Sequence, residues 1–154
     1  MEINEESFDK IKEKAQKLYK INGVSCPYFG FDVILNSDGF HHLQFSARRE
    51  RSKAEQLLKF TLLPLALKVI RKSGTVQEIR EDLISVGKES KDGFRQMKLV
   101  TYWAFIAIVG ENKKIKIKTI VRRIGDGNII VWSVMPYSNL KDSQKLYSGD
   151  LKDE

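Results

Sequence analysis

The fold is decided by Leu99-Val100-Thr101-Tyr102-Trp103-Ala104-Phe105-Ile106-Ala107-Ile108-Val109 and the two runs that follow it, Ile115 to Ile124 and Ile129-Ile130-Val131-Trp132-Ser133-Val134-Met135. β-branched and aromatic residues fill all three. Gly110-Glu111-Asn112-Lys113 and Gly125-Asp126-Gly127-Asn128 separate them, so the stretch predicts strands joined by tight turns. From Ile115, lysines at 116 and 118 alternate with isoleucines at 115 and 117, the pattern of a half-buried strand showing its lysines to solvent. By the same parity Arg122 falls on the lysine side and Arg123 on the isoleucine side. Thr75 to Ser85 supplies an earlier strand, followed by a polar loop from Gly87 to Gly93. Pro136 stops the last strand.

Working outward, Ser7 to about Asn22 places Phe8, Ile11, Ala15 and Leu18 at helical spacing, and Asn22-Gly23 ends that helix. Pro27 makes Cys26 extended, and Phe31 to Leu35 is a short β-rich run closed by the turn-forming Asn36-Ser37-Asp38-Gly39. Ser52 to about Ser73 is a second helix. Ser52 and Glu55 have the spacing of a capping box, Leu57, Leu58, Leu62, Leu65, Ala66 and Val69 form the core face, and Pro64 is expected to kink or split it. The order predicts an α+β domain with N-terminal helices packed on one face of a four- to five-stranded antiparallel sheet. Residues 1–154 are expected to form one domain, with a core over about 7–136 and a polar tail over 137–154.

The 154 residues are 42% hydrophobic and 31% charged, ordinary for a globular chain. The longest apolar run, Leu62 to Ile70, is broken by Pro64 and Lys68 and is too short to span a bilayer, so no membrane partner is expected. A lone Cys26 excludes an internal disulfide and fits a reducing cytoplasm. The net charge of +7 favours an anionic partner.

The chemistry-bearing side chains gather in Phe40-His41-His42-Leu43-Gln44-Phe45-Ser46-Ala47-Arg48-Arg49-Glu50-Arg51-Ser52-Lys53. Both histidines of the chain stand here, just before arginines at a helix start. A phosphate would meet proton-transfer groups and charge-stabilising donors there. Cleaving RNA without a metal needs a base for the 2′-hydroxyl proton, an acid for the leaving 5′-oxygen and cations for the phosphoryl charge. The same residues also suit a packed histidine and a solvated arginine loop paired with Glu50 and Glu55. A zinc site is disfavoured, because no cysteine or helically spaced Asp/Glu completes it; no metal or cofactor is expected. Ser133 is the only polar residue of its strand and must find a hydrogen bond or line a site. Tyr102, Trp103 and Phe105, with Trp132, offer aromatic surface for bases.

The order of these pieces resembles the phage-associated branch of the barnase–EndoU–colicin–RelE-like nuclease superfamily. The resemblance is carried by Phe40-His41-His42-Leu43, Arg48 to Lys53 with the helix to Ile70, Val76-Gln77-Glu78-Ile79-Arg80, Tyr102-Trp103-Ala104-Phe105, Val121-Arg122-Arg123-Ile124-Gly125 and Trp132-Ser133-Val134-Met135-Pro136. It implies a barnase/RelE-like fold and a cytoplasmic, metal-independent endoribonuclease of toxin, toxin–antitoxin or phage origin. The target would be RNA, tRNA or mRNA, with an acidic antitoxin or immunity protein as a partner. By the same resemblance His42, or else His41, acts as base or acid. Arg48 or Arg49, with Arg122 or Arg123, holds the phosphate, and Ser133 orients it. Arg51, Lys53, Lys116 and Lys118 add to the RNA-binding surface. The rival readings are a nucleic-acid-binding module without catalysis and a phage-related protein-interaction domain.

Overall fold

The first helix begins where the sequence offers a cap. In a computed structural model of the chain, which describes residues 4–110 and 115–137, the Asn4 side chain accepts from the Glu6 and Ser7 amides and opens α1, Glu5–Leu18. The helix tightens into a 3-10 turn over Tyr19–Ile21, and Asn22 ends it at a positive φ of 73°. The short strands β1, Gly23–Cys26, and β2, Phe31–Ile34, then form a hairpin.

Asn36-Ser37-Asp38-Gly39 does not turn the chain; it starts a helix. The Asn36 side chain accepts from the Gly39 amide at 3.0 Å, and α2 runs over Ser37–Gln44 with both histidines in it. Short polar side chains close a local ring on a backbone amide in turns and in N-caps alike, so the tetrapeptide serves either. Further on, Ser52 caps α3, Lys53–Lys72, by accepting from the Glu55 amide at 3.2 Å. The Glu55 carboxylate reaches Arg49 at 3.1 Å and the Ser52 hydroxyl at 3.5 Å. Pro64 lies on the exposed side of α3, which continues unsplit through it. The deepest stripe of α3 is Phe60, Leu63, Leu67 and Ile70, with Leu57, Leu58 and Leu65 half-buried beside it.

Four strands form the expected meander: β3, Glu78–Val86; β4, Gln96–Val109; β5, Ile115–Ile124; and β6, Ile130–Pro136. The sheet is nevertheless six-stranded and mixed, in the order β1-β2-β6-β5-β4-β3, because β2 joins β6 in parallel at Ile34 and Ile130. Most of the turn at Gly110 and the tail from Ser138 lie outside the described residues. One sheet face, carrying Phe105, Ile117, Val121, Val131 and Val134, meets α3 and the aromatic turn of the β1–β2 hairpin. There Phe29 packs edge-on against Trp103 at 5.0 Å and Tyr28 against Phe105 at 5.9 Å. On the other face a smaller cluster of Val100, Tyr102, Ala104, Ile120 and Met135 is built from strand residues alone. Among the described residues no helix is long and apolar enough to cross a membrane.

One core group is poorly matched to its surroundings. The Tyr19 hydroxyl is buried without a hydrogen-bond partner, its ring edge-on to Phe40 at 5.2 Å, and burial pushes its ionisation far up. Tyr19→Phe removes an unsatisfied group and is expected to leave stability unchanged or raise it by about 1 kcal/mol. The unfolded chain releases this proton first, so stability falls as pH rises past about 10, and the variant loses that part of the fall. Urea titrations of both proteins at neutral and alkaline pH check this. A destabilised variant would mean that the hydroxyl is bonded.

Candidate functional site

A bulge in β6 builds the site. Ser133 pairs with Ile120 and Val131 with Val121, leaving Trp132 as an extra residue between them. A bulge re-aims the side chains around it and breaks simple alternation. Accordingly Val131 joins the helix-side core, whereas Trp132 and Met135 join the strand-only cluster. Counting by twos along β6, which puts Val131, Ser133 and Met135 on one side, therefore fails at Trp132.

Adjacent residues on a helix point about 100° apart, and α2 separates the two histidines this way. His41 is exposed and stacks on Phe45 at 4.5 Å. His42 is buried, its ring 3.9 Å from that of Trp132 and tilted by 14°. The Arg122 guanidinium carbon lies 3.4 Å from the Trp132 ring centre. Two groups this close to one ring would overlap if they shared a face, so Trp132 is clasped between β5 and α2.

Arg51 fixes His42 from the other end. Its Nε donates to the His42 carbonyl at 3.0 Å and its terminal nitrogen lies 3.1 Å from His42 Nε2. A guanidinium only donates, so Nε2 is the accepting nitrogen and the neutral ring carries its proton on Nδ1. The loop between α2 and α3 aims Arg51 inward. The Ser46 amide donates to the Arg49 carbonyl at 2.8 Å, the Arg51 amide to the Gln44 carbonyl at 2.8 Å, and the Gln56 side chain to the Arg51 carbonyl at 2.7 Å.

Ser133 finds its bond in a residue outside the sequence-predicted set. Lys59, buried on α3, donates to Ser133 Oγ at 2.9 Å and to the Val134 carbonyl at 3.1 Å. Its signal was present in the sequence. Lys59 falls in phase with Gln56, Phe60, Leu63 and Leu67, a cation on the stripe that α3 buries.

The structure thus joins Arg51, His42, Trp132 and Arg122 in one chain of contacts, and beside it, at the next residue of β6, pairs Ser133 with Lys59. Other expected residues lie elsewhere or are engaged. Arg49 pairs with Glu55, and Lys53 with Glu5 at 3.4 Å. Lys118 is buried against Glu78 at 2.8 Å, and Lys116 stands 5.2 Å from the Tyr137 ring centre. Tyr102 is buried beside Arg122, so neither it nor the clasped Trp132 presents a free face to a base. Arg123 lies on the opposite side of β5, donating to the Asp126 carbonyl at 3.3 Å. Arg48 is exposed on the loop. Among the described residues no group of three or more His, Cys, Asp and Glu side chains comes together as a metal site.

No family model, curated protein or solved structure matches the chain. The chain is an α+β domain with a mixed six-stranded sheet, in which a histidine–arginine pair and a lysine–serine pair flank the β6 bulge.

Proposed function

We propose that the chain is a metal-independent endoribonuclease whose site is this cluster, and that it acts as a toxin or a phage- or mobile-element-associated nuclease. The observation that carries the reading is Arg122. Its guanidinium rests on Trp132, its Nε is buried without a hydrogen-bond partner, and it makes no ion pair among the described residues. A cation held in place by an aromatic ring is preorganised for a phosphate. The resemblance to barnase/RelE-like nucleases, with its histidine, basic residue and terminal-strand serine, supports the same choice, Lys59 joining the arginines as the basic group.

The 2′-hydroxyl would attack the adjacent phosphorus and expel the 5′-oxygen, which takes its proton from solvent, leaving a 2′,3′-cyclic phosphate and a 5′-hydroxyl. In the free protein Arg51 occupies the lone pair of His42 Nε2. An incoming phosphate competes for that guanidinium through charge-assisted bonds, which frees Nε2 to take the 2′-hydroxyl proton. Arg122 and Lys59 would hold the charge developing on the phosphoryl oxygens, and Ser133 would orient them.

Cleavage of total cellular RNA in EDTA, with product ends mapped, tests this. Discrete cuts bearing cyclic phosphate are expected, slowed about 100-fold or more by His42→Ala or Arg122→Ala. Ends bearing 5′-phosphate, or an absolute requirement for magnesium, would sink the proposal. In cells, overexpression of the native chain is expected to be toxic and His42→Ala to relieve it, with an acidic antitoxin encoded nearby.

The Arg51–His42 bond also favours a second reading, in which a histidine with its lone pair taken is only a strut in a nucleic-acid-binding module. RNA binding would then weaken steeply with salt, nothing would be cut, and His42→Ala would leave binding unchanged.

A further inference from the structure

The β3 edge of the sheet is open among the described residues. All nine residues of β3 pair with β4 without a shift, and no strand covers the outer side among the described residues. Edge strands are commonly blunted by a proline, a bulge, short length or charge, and β3 has only the last, at Glu78, Arg80, Glu81 and Asp82. It also exposes apolar side chains on the face that α3 covers farther in. Ile79 is 46% exposed and Leu83 61%, and next to them on β4 Leu99 is 43% and Met97 53% exposed. Leu83 sits opposite Leu99, and Ser85 opposite Met97, so the patch is continuous across the two strands.

We infer that this edge pairs with a second copy of the chain, β3 antiparallel to β3 about a two-fold axis through Glu81. The sequence of β3 selects that register. With Glu81 opposite itself, Ile79 meets Leu83 of the other copy on the apolar face, twice by symmetry. On the other face Arg80 meets Asp82 and Glu78 meets Ile84, each twice. A shift by two residues in one direction sets Arg80 against itself. In the other direction it sets Asp82 against itself and Leu83 against Glu81. Odd shifts turn the second copy over, and set Ile79 against Asp82 in one direction and Arg80 against Leu83 in the other. The Glu81 register alone sets Ile79 against Leu83 and Arg80 against Asp82 together, with a single like pair at the axis and Glu78 facing Ile84 farther out.

Such a dimer is one twelve-stranded sheet with both open faces on the same side. Seven strand spacings then separate the two β6 bulges, roughly 30 Å. The inference stands apart from the proposed activity, because its readouts need no substrate.

Sedimentation at about 100 μM, where an association of micromolar Kd is essentially complete, is expected to show a dimer. Leu83→Lys is expected to weaken dimerisation at least about tenfold with an unchanged circular dichroism spectrum. Glu81→Gln, which removes the like pair, is expected to tighten it. The most direct probe is Glu81→Cys, which places two thiols across the axis and is expected to yield a disulfide-linked dimer on mild oxidation, Cys26 being buried. A native chain that stays monomeric at that concentration would overturn the inference. So would Glu81→Cys cross-linking no faster than Lys14→Cys on exposed α1, or cross-linking that favours Asp82→Cys.

Discussion

Lys59→Met is expected to lower RNA cleavage about 100-fold or more while leaving the protein folded. Methionine fills nearly the same space as the lysine stem, so the packing of α3 on the sheet changes little. The opposing terms in stability are of similar size. Losing the donor to Ser133 Oγ and the Val134 carbonyl costs about 1–3 kcal/mol. Relief from holding an ammonium away from water offsets a comparable amount, since replacing buried ions by apolar groups is often neutral or stabilising. The net shift is therefore expected within about 2 kcal/mol of zero, read from urea unfolding. A structural lysine and a catalytic one separate cleanly in this experiment. If the variant cuts RNA like the native chain, Lys59 only supports Ser133, and the phosphoryl charge must be met by the arginines alone. If it binds RNA with native affinity but no longer cuts, the ammonium acts in the transition state and not in ground-state binding.

What the sequence revealed, and what it hid, follows from where each signal resides. The runs from Leu99, Ile115 and Ile129 were legible because strand alternation is local, and so was α3, which announces itself with Ser52 and Glu55. The helix carrying the histidines was not, because Asn36 and Asp38 promote a turn and a helix start by the same hydrogen-bonding chemistry. The parallel link between β2 and β6 rests on Ile34 and Ile130, residues far apart in the chain whose meeting depends on how α2 and α3 fold back. Within the site, His42, Arg51, Arg122 and Ser133 were recognisable by residue type. The bulge that brings Trp132 between His42 and Arg122 leaves no mark in the pattern of Ile129 to Met135. Charge misled most. Lys118, Arg49 and Lys53 look available in the sequence, yet each has a carboxylate beside it in space. Lys59, a buried cation, was passed over because it stands among the leucines of α3, although its phase with Phe60, Leu63 and Leu67 marks it.

Gly39→Ala is expected to unfold or loosen the site without touching it. Gly39 is buried in the first turn of α2 and its backbone needs no unusual φ, so conformational freedom is not why glycine stands there. The reason is contact: a Cβ added at this position would land inside the van der Waals reach of the Val131 carbonyl oxygen, a backbone atom of β6 that cannot swing aside. Relief requires α2 to lift from the strand, and overpacking against backbone of this kind costs about 3 kcal/mol. His42 rides on the same helix, so the lift also draws its ring away from Trp132 and leaves Arg51 facing a displaced partner. Three readouts should therefore move together: a lowered urea midpoint, an altered Trp132 fluorescence, and loss of cleavage by a residue that meets no substrate. Gly74→Ala is the matched control. An added Cβ there finds nothing within 4 Å, and the expected change is a gain or loss of no more than about 0.5 kcal/mol. Native stability in Gly39→Ala would mean that α2 does not sit on β6 this closely. The clasp around Trp132, on which the placement of His42 depends, would fall with it.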